Sequence, residues 1–258
     1  PADTAALARS HRQLISLAQA RSGPVMIQAF PVESAGKQQV FRVLSCPVLH
    51  PSGRASGVLA LFRTQQQPEF TQREGRLADL LARRAAAIIE ASYDAATGLL
   101  TRPAFEQRAR AALADQRAGR SWSALYIDID RLHVINDNYG MHVGDRLIAK
   151  LGELVRSWLV PGALAARSSG DRFTLLLPGG EDAAMHFAET LRASAAALTG
   201  ASLGVSTNAA IDASVSIGVA PLADAKVEFA HAFAVAETAC KAAKDRGQAH
   251  FTPWRLRT

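Results

Sequence analysis

Apolar positions near the start of the chain recur at helical spacing and then give way to short runs. Leu7, Leu14, Ile15 and Leu17 stand among polar residues over 4–21, which predicts an amphipathic helix. Runs at 25–30, 40–44 and 57–62 follow, separated by Ser34-Ala-Gly36 and His50-Pro-Ser-Gly53, and read as three strands with turns. From Thr71 to Ala91 the pattern becomes one uninterrupted helix, with Leu77, Leu80, Leu81, Ile88 and Ile89 on one side and Arg73, Arg76, Arg83 and Arg84 elsewhere. Thr71 followed by Glu74 fits a capping box at its start. A helix of that length is a rod of roughly 30 Å, either a plain core helix or a connector carrying movement between two domains.

Beyond it, helical patterns at 102–118, 144–159, 181–198 and 228–246 alternate with strand patterns at 123–129, 172–177 and 213–220. Such alternation predicts an α/β layer with helices laid on a sheet. Pro178-Gly-Gly180 and Gly200 punctuate these elements, and there is no internal repeat.

Composition changes this picture little. A hydrophobic content of 48% over 258 residues leaves room for a core in each of two small domains. Lys plus Arg at 29 against Asp plus Glu at 23 gives a net charge of +6, but the cations are scattered and aromatics make up only 6%, which argues against nucleic acid. The same charge suits a phosphate-bearing small molecule. Cys46 and Cys240 are far apart and lie in no metal-binding pattern, as expected of reduced, buried thiols in a cytoplasmic protein. No apolar run reaches the roughly 18 to 20 residues that cross a bilayer. Pro1-Ala-Asp-Thr4 is neither a start methionine nor a signal peptide, so the chain reads as a piece of something longer.

The chemistry concentrates after residue 120. Ser123-Ala-Leu-Tyr-Ile-Asp-Ile-Asp130 is an apolar strand that delivers acids to its end, and Ser169-Gly-Asp-Arg-Phe173 places another acid in a tight turn. Two such carboxylates are how a chain builds a metal-phosphate site, although Asp128 and Asp171 are also what two solvated loop acids would look like. Asn136 and Asp145 follow at fixed spacing. Asn136 offers a donor and an acceptor, and Asp145 accepts, as the edge of a guanine requires. Taken singly, Asn136 equally suits a turn, and Asp145 the first turn of a helix.

Several motifs in one order then resemble a known family. Asp94-Ala-Ala-Thr-Gly-Leu-Leu-Thr-Arg102 resembles the D-x-L-T-G-L-x-N-R opening of GGDEF domains, the diguanylate cyclases that join two GTP molecules into cyclic di-GMP. Asp128 to Gly140 resembles their D-x-D-x-F-K-x-I-N-D-x-x-G stretch, Val143-Gly-Asp145 closes it, and Ser214 to Ala220 is similar to a late core strand. The resemblance covers about residues 92–252. It implies an α/β (α+β) fold with a central, largely antiparallel sheet flanked by helices. It also implies Mg²⁺ held by Asp128, the Ile129 carbonyl and Asp171, with GTP contacted by Asn136, Asp145, Ser169, Gly170 and Lys244.

The signature departs from the family pattern. Gly-Gly-Asp-Glu-Phe has become Ser169-Gly-Asp-Arg-Phe173, so the first glycine has gained a side chain and the acid has become Arg172. A Cβ at the first position obstructs positive φ or close approach to phosphate, and a guanidinium repels the metals that the carboxylate would hold. Arg172 could instead contact phosphate as a fixed cation. Lys244 matches the phosphate-binding lysine of an A-K-x-x-G-R-N segment, but Gln248 stands where its arginine belongs unless Arg246 reaches in, and Met141 stands where the family has His. The product-inhibition pair R-x-x-D falls on Val160 and Ala163, so feedback by cyclic di-GMP there is expected to be absent.

Upstream, Arg42 to Val48 with Ala55 to Phe62 resembles the second half of a GAF sensor domain, and Phe251-Thr-Pro253 is similar to the linker that leads into EAL phosphodiesterase domains. The expected organisation is a partial GAF-like module at 1–70, a connecting helix at 71–92 and a degenerate GGDEF domain at 93–258. The leading expectation is a non-cyclising, GTP-binding or dimerising control element for a downstream EAL domain. A working cyclase with a tolerated signature and a pure interaction module are the two alternatives.

Overall fold

The computed structural model describes residues 4–34, 37–50, 55–114, 121–205, 211, 213–222, 228–246 and 251–253. The chain divides into two units, Pro1–Ala91 and Ser92–Thr258.

In the first unit α1 (Thr4–Gln19) precedes an antiparallel sheet of β1 (Val25–Ser34), β2 (Lys37–Leu49) and β3 (Ala55–Thr64), and α2 (Gln72–Ala91) closes it. Period-two alternation sends the side chains of central β2 to opposite faces. Val43 joins Leu14 of α1 and Phe30 on one face, while Leu44, Cys46 and Val48 meet Ala78 and Ala82 of α2 on the other. The strands run longer than the apolar runs suggest, because β-pairing continues into polar residues.

The small face of α2 is the buried one. Gly75, Ala78 and Ala82 lie on the sheet, close enough that a Cβ at Gly75 would meet the end of Met26, whereas Leu77, Leu80, Leu81 and Ile88 point to solvent. The capping box forms as its sequence predicts: the Thr71 amide donates to Glu74 at 2.8 Å and the Glu74 amide donates to the Thr71 hydroxyl at 3.3 Å.

The second unit holds a six-stranded sheet in the order β4-β6-β7-β5-β8-β9. Its strands are β4 (Leu100–Thr101), β5 (Trp122–Ile129), β6 (Leu164–Ser169), β7 (Arg172–Pro178), β8 (Val215–Leu222) and β9 (Phe251–Pro253). The pairs β6–β7, β7–β5 and β5–β8 are antiparallel, and the edge pairs β4–β6 and β8–β9 are parallel. Helices cover both faces: α3 (Arg102–Ala114) and α7 (Phe229–Asp245) one, α5 (Met141–Trp158) and α6 (Glu181–Ala196) the other. This is the mixed α/β layer that the alternating pattern predicts.

Central β5 shows why the sheet takes two layers of helices. Leu125, Ile127 and Ile129 pack with Val143, Leu147 and Leu151 of α5 and with Leu191 of α6, while Trp122 and Ala124 pack with Phe105, Ala109, Ala232 and Ala236 of α3 and α7. Four of these strands and helices have no counterpart in the apolar pattern. β4 and β9 are too short to show a period, and α4 (Leu132–Tyr139) is a two-turn helix whose polar composition reads as loop. β6 is hidden because its sequence, Leu-Ala-Ala-Arg-Ser-Ser, has weak strand character and is ordered by its pairing with β7.

Candidate functional site

Asp128 is the penultimate residue of β5, and alternation along that strand places it on the same face as Ala124 and Tyr126, toward α7. It is only 7% exposed. Its Oδ1 accepts a hydrogen bond from Nζ of Lys244, 2.6 Å away near the end of α7, across 116 residues of sequence. Antiparallel register pairs Asp128 with Arg172 on β7, and the Arg172 Nε lies 3.5 Å from Asp128 Oδ2. Both carboxylate oxygens therefore face a cation. Burial pushes the Asp128 carboxyl above its ordinary range even so, because removing it from water outweighs the hydrogen bond and charge of Lys244.

Arg172 stands at the start of β7, half-exposed, with Asp171 Oδ1 3.9 Å from its Nε. Tyr126, then Asp128 and Asp171, hold its guanidinium firmly charged. Tyr126, Asp128, Arg172, Glu237, Lys241 and Lys244 line a cavity of about 570 Å³ against α7, within the range of small-molecule sites.

The signature turn is a two-residue hairpin connecting β6 to β7, with Ser169 paired to Arg172. The positive φ that such a turn needs, +43°, falls on Gly170, which is retained, and Ser169 is not among the residues with positive φ. The serine side chain is therefore accommodated without backbone strain, contrary to the expectation drawn from the lost glycine. Arg167 braces the turn: its Nε donates to the Gly170 carbonyl at 2.8 Å and its Nη1 lies 3.5 Å from Asp94 Oδ2. Asp94 in turn accepts from the Thr97 amide at 2.9 Å and hydroxyl at 2.7 Å. The opening motif is thus a structural clasp on the hairpin.

Asp130, the second acid of the strand end, is fully buried and accepts from the hydroxyls of Ser214 at 2.8 Å and Ser216 at 2.7 Å. It ties β5 to the entry of β8 and faces no solvent. Sequence reasoning does not single out this role, although the Ser-x-Ser spacing of Ser214 and Ser216, matched to one face of a strand, is the signal that shows it. Tyr126, Glu237 and Lys241 were likewise not predicted, since only the fold brings their strand and helix together.

Asn136 and Asp145 sit on α4 and α5 (Leu132–Tyr139 and Met141–Trp158) and make no hydrogen bond or ion pair with the Asp128 cluster. Asn136 Oδ1 is buried without a partner and lies over Gly144, where a Cβ would collide with it. Asp145 is exposed one residue further on. The glycine of the Val143-Gly-Asp145 motif therefore makes room for the Asn136 side chain on α5. Arg246 is exposed at the C-cap of α7, and Gln248 lies outside the described residues. Val160 lines an apolar surface with Trp158 and Phe187, and Ala163 packs against the core of the second unit.

The acids present fit an implied Mg²⁺ poorly. Asp128 has both oxygens turned to cations, Asp171 shares Arg172, and no group of three or more His, Cys, Asp or Glu able to hold a metal occurs among the described residues. A divalent ion would have to displace Lys244 or sit against the Arg172 guanidinium. No helix among the described residues is long and apolar enough to cross a membrane.

Residues 91–250 match the family model described as diguanylate cyclase, GGDEF domain. Diguanylate cyclase DgcM of Escherichia coli is 38% identical over 132 residues, 50% of this chain and 30% of that protein. Cyclic di-GMP phosphodiesterase PdeB of Shewanella oneidensis is 39% identical over 87 residues, 34% of this chain and 10% of that protein. The chain thus spans a third or less of either relative. Among solved structures, the GGDEF domain of DgcB from Caulobacter crescentus in complex with c-di-GMP aligns at 25% identity with a TM-score of 0.58, covering 63% of this chain and 93% of that one. Domains of this kind generally use Mg²⁺ for catalysis. With residues 91–250 matching the family model and the fold aligning with a solved GGDEF domain, the chain belongs to the GGDEF domain family of cyclic di-GMP signalling.

Proposed function

We propose that the second unit is a degenerate GGDEF domain that binds GTP without condensing it and acts as a regulatory, dimerising element for a downstream EAL phosphodiesterase in the cytoplasm. The observation that carries this reading is Arg172, placed by sheet register opposite Asp128, so that a cation occupies the shell where transition-state charge would need metals. The buried, unpartnered Asn136 Oδ1, lying over Gly144 of the Val143-Gly-Asp145 motif, supports a retained guanine site. Lys244, Ser169 and Gly170 stand on the phosphate side. The likeness to the cyclic di-GMP phosphodiesterase PdeB supports a partner of phosphodiesterase type. The first unit serves as a GAF-like input, and two copies pair along the outward face of α2, where Leu77, Leu81 and Ile88 repeat at four and seven residues.

Incubation with labelled GTP tests the proposal. Expected are saturable binding, weakened by Asn136→Ala or Asp145→Ala, and no cyclic di-GMP, with product appearing only when Arg172→Glu is combined with Ser169→Gly. Accumulation of cyclic di-GMP by the parent chain would overturn it. That outcome would establish a working cyclase, the reading favoured by the unstrained signature turn with Gly170 in place.

A further inference from the structure

The cluster around Asp128 carries no surplus negative charge. Lys244 and Arg172 face its two oxygens, and Asp171 is directed to the same guanidinium. Mg²⁺ dehydrates reluctantly and needs carboxylate oxygens left free for it. A polyphosphate needs the reverse, namely fixed N–H donors and positive charge.

Arg172 meets that need. Its side chain is 49% exposed and its contact with Asp128 is long, 3.5 Å, so a competing phosphate oxygen can take its donors. Lys244 and Lys241 open into the same cavity of about 570 Å³, where with Arg172 they make three cations against two acids, Asp128 and Glu237, on its wall. The β5–β7 ladder fixes the backbone of Arg172 opposite Asp128, at the mouth of this cavity.

Resting on the reading that GTP binds here, we propose that the triphosphate is held without a divalent ion. Arg172, Lys244 and Lys241 take the place of the metals, and free GTP, not its magnesium complex, is the preferred ligand. Arg172 is then the residue that determines this preference: it blocks the metal and supplies the anchor.

Isothermal calorimetry of the full 258-residue chain with GTP, once in EDTA and once in excess magnesium chloride, tests this. Affinity in EDTA is expected to exceed that in magnesium, and equal affinities would remove the preference for free GTP. Arg172→Glu is expected to weaken binding in EDTA by about ten- to a hundredfold, the worth of lost charge-assisted hydrogen bonds, and magnesium is expected to restore it. Circular dichroism of Arg172→Glu and of the milder Arg172→Gln checks folding, which a half-exposed position should tolerate. Binding in magnesium that vanishes in EDTA would overturn the metal-free site and leave GTP binding standing. Absence of GTP binding in both buffers would overturn both. Undiminished binding by Arg172→Glu in EDTA would remove Arg172 as the anchor.

Discussion

Replacing Gly218 with alanine perturbs the contact that sets where α7 lies, and with it the position of Lys244. Gly218 is the glycine of Ser214-Val-Ser-Ile-Gly218 on β8, and a Cβ there would run into the Ala236 carbonyl oxygen and the Cys240 amide nitrogen of α7, both well inside 3.0 Å. The obstacles are backbone, so no rotamer change relieves them; the helix must move off the sheet by more than an ångström. Overpacking of this kind costs about 1–3 kcal/mol, and a backbone clash belongs at the upper end. At about 2–4 °C per kcal/mol for a unit of this size, the melting temperature should fall by about 6–12 °C. Differential scanning calorimetry of the parent and the variant measures this directly. Gly170→Ala is the control, having nothing within 4 Å of its Cβ and only a positive φ of +43° to strain. It should lose about 1–2 kcal/mol. A Gly218→Ala protein melting within about 1 °C of the parent would refute the close approach of β8 and α7.

Ser216→Ala removes one of the hydroxyls that Asp130 accepts from in a fully buried setting. A loss of about 1.5–3 kcal/mol in urea unfolding is expected, with the double variant Ser214→Ala/Ser216→Ala worse than either single change. In the first unit, the Thr71 amide, Arg63 and the Thr71 hydroxyl lower the Glu74 carboxyl to about 2. A carboxyl depressed on folding stabilises above its unfolded value and loses that stabilisation as pH falls from about 4.5 to about 2. The urea midpoints of the parent and of Glu74→Ala should therefore differ near neutral pH and converge on acidification, and a gap that persists at low pH would contradict the assignment.

Much of this protein was legible before folding. The alternation of apolar periods predicts the mixed α/β architecture, because burial of one face must follow the geometry of each element. The order of motifs around Asp94, Asp128, Asn136, Asp145 and Lys244 points to the family, since each is a local arrangement of a strand end, a helix start or a turn. Short or polar elements such as β4, β6 and α4 stayed invisible, as their order comes from neighbours and not from their own composition.

What the chain alone could not decide is who meets whom. The apolar stripe of α2 looks like its buried face, yet the alanine side lies on the sheet, because only small residues allow so close an approach. Ser169 looks like damage, yet the backbone places the positive φ one residue later, on Gly170. Above all, Arg172 reads in sequence as a lost acid, whereas antiparallel register sets it opposite Asp128 and α7 brings Lys244 to the same carboxylate. Local patterns specify elements because their causes are local; the charge state of a site is a sum over residues that only the closed sheet and its helices bring within a few ångströms of one another.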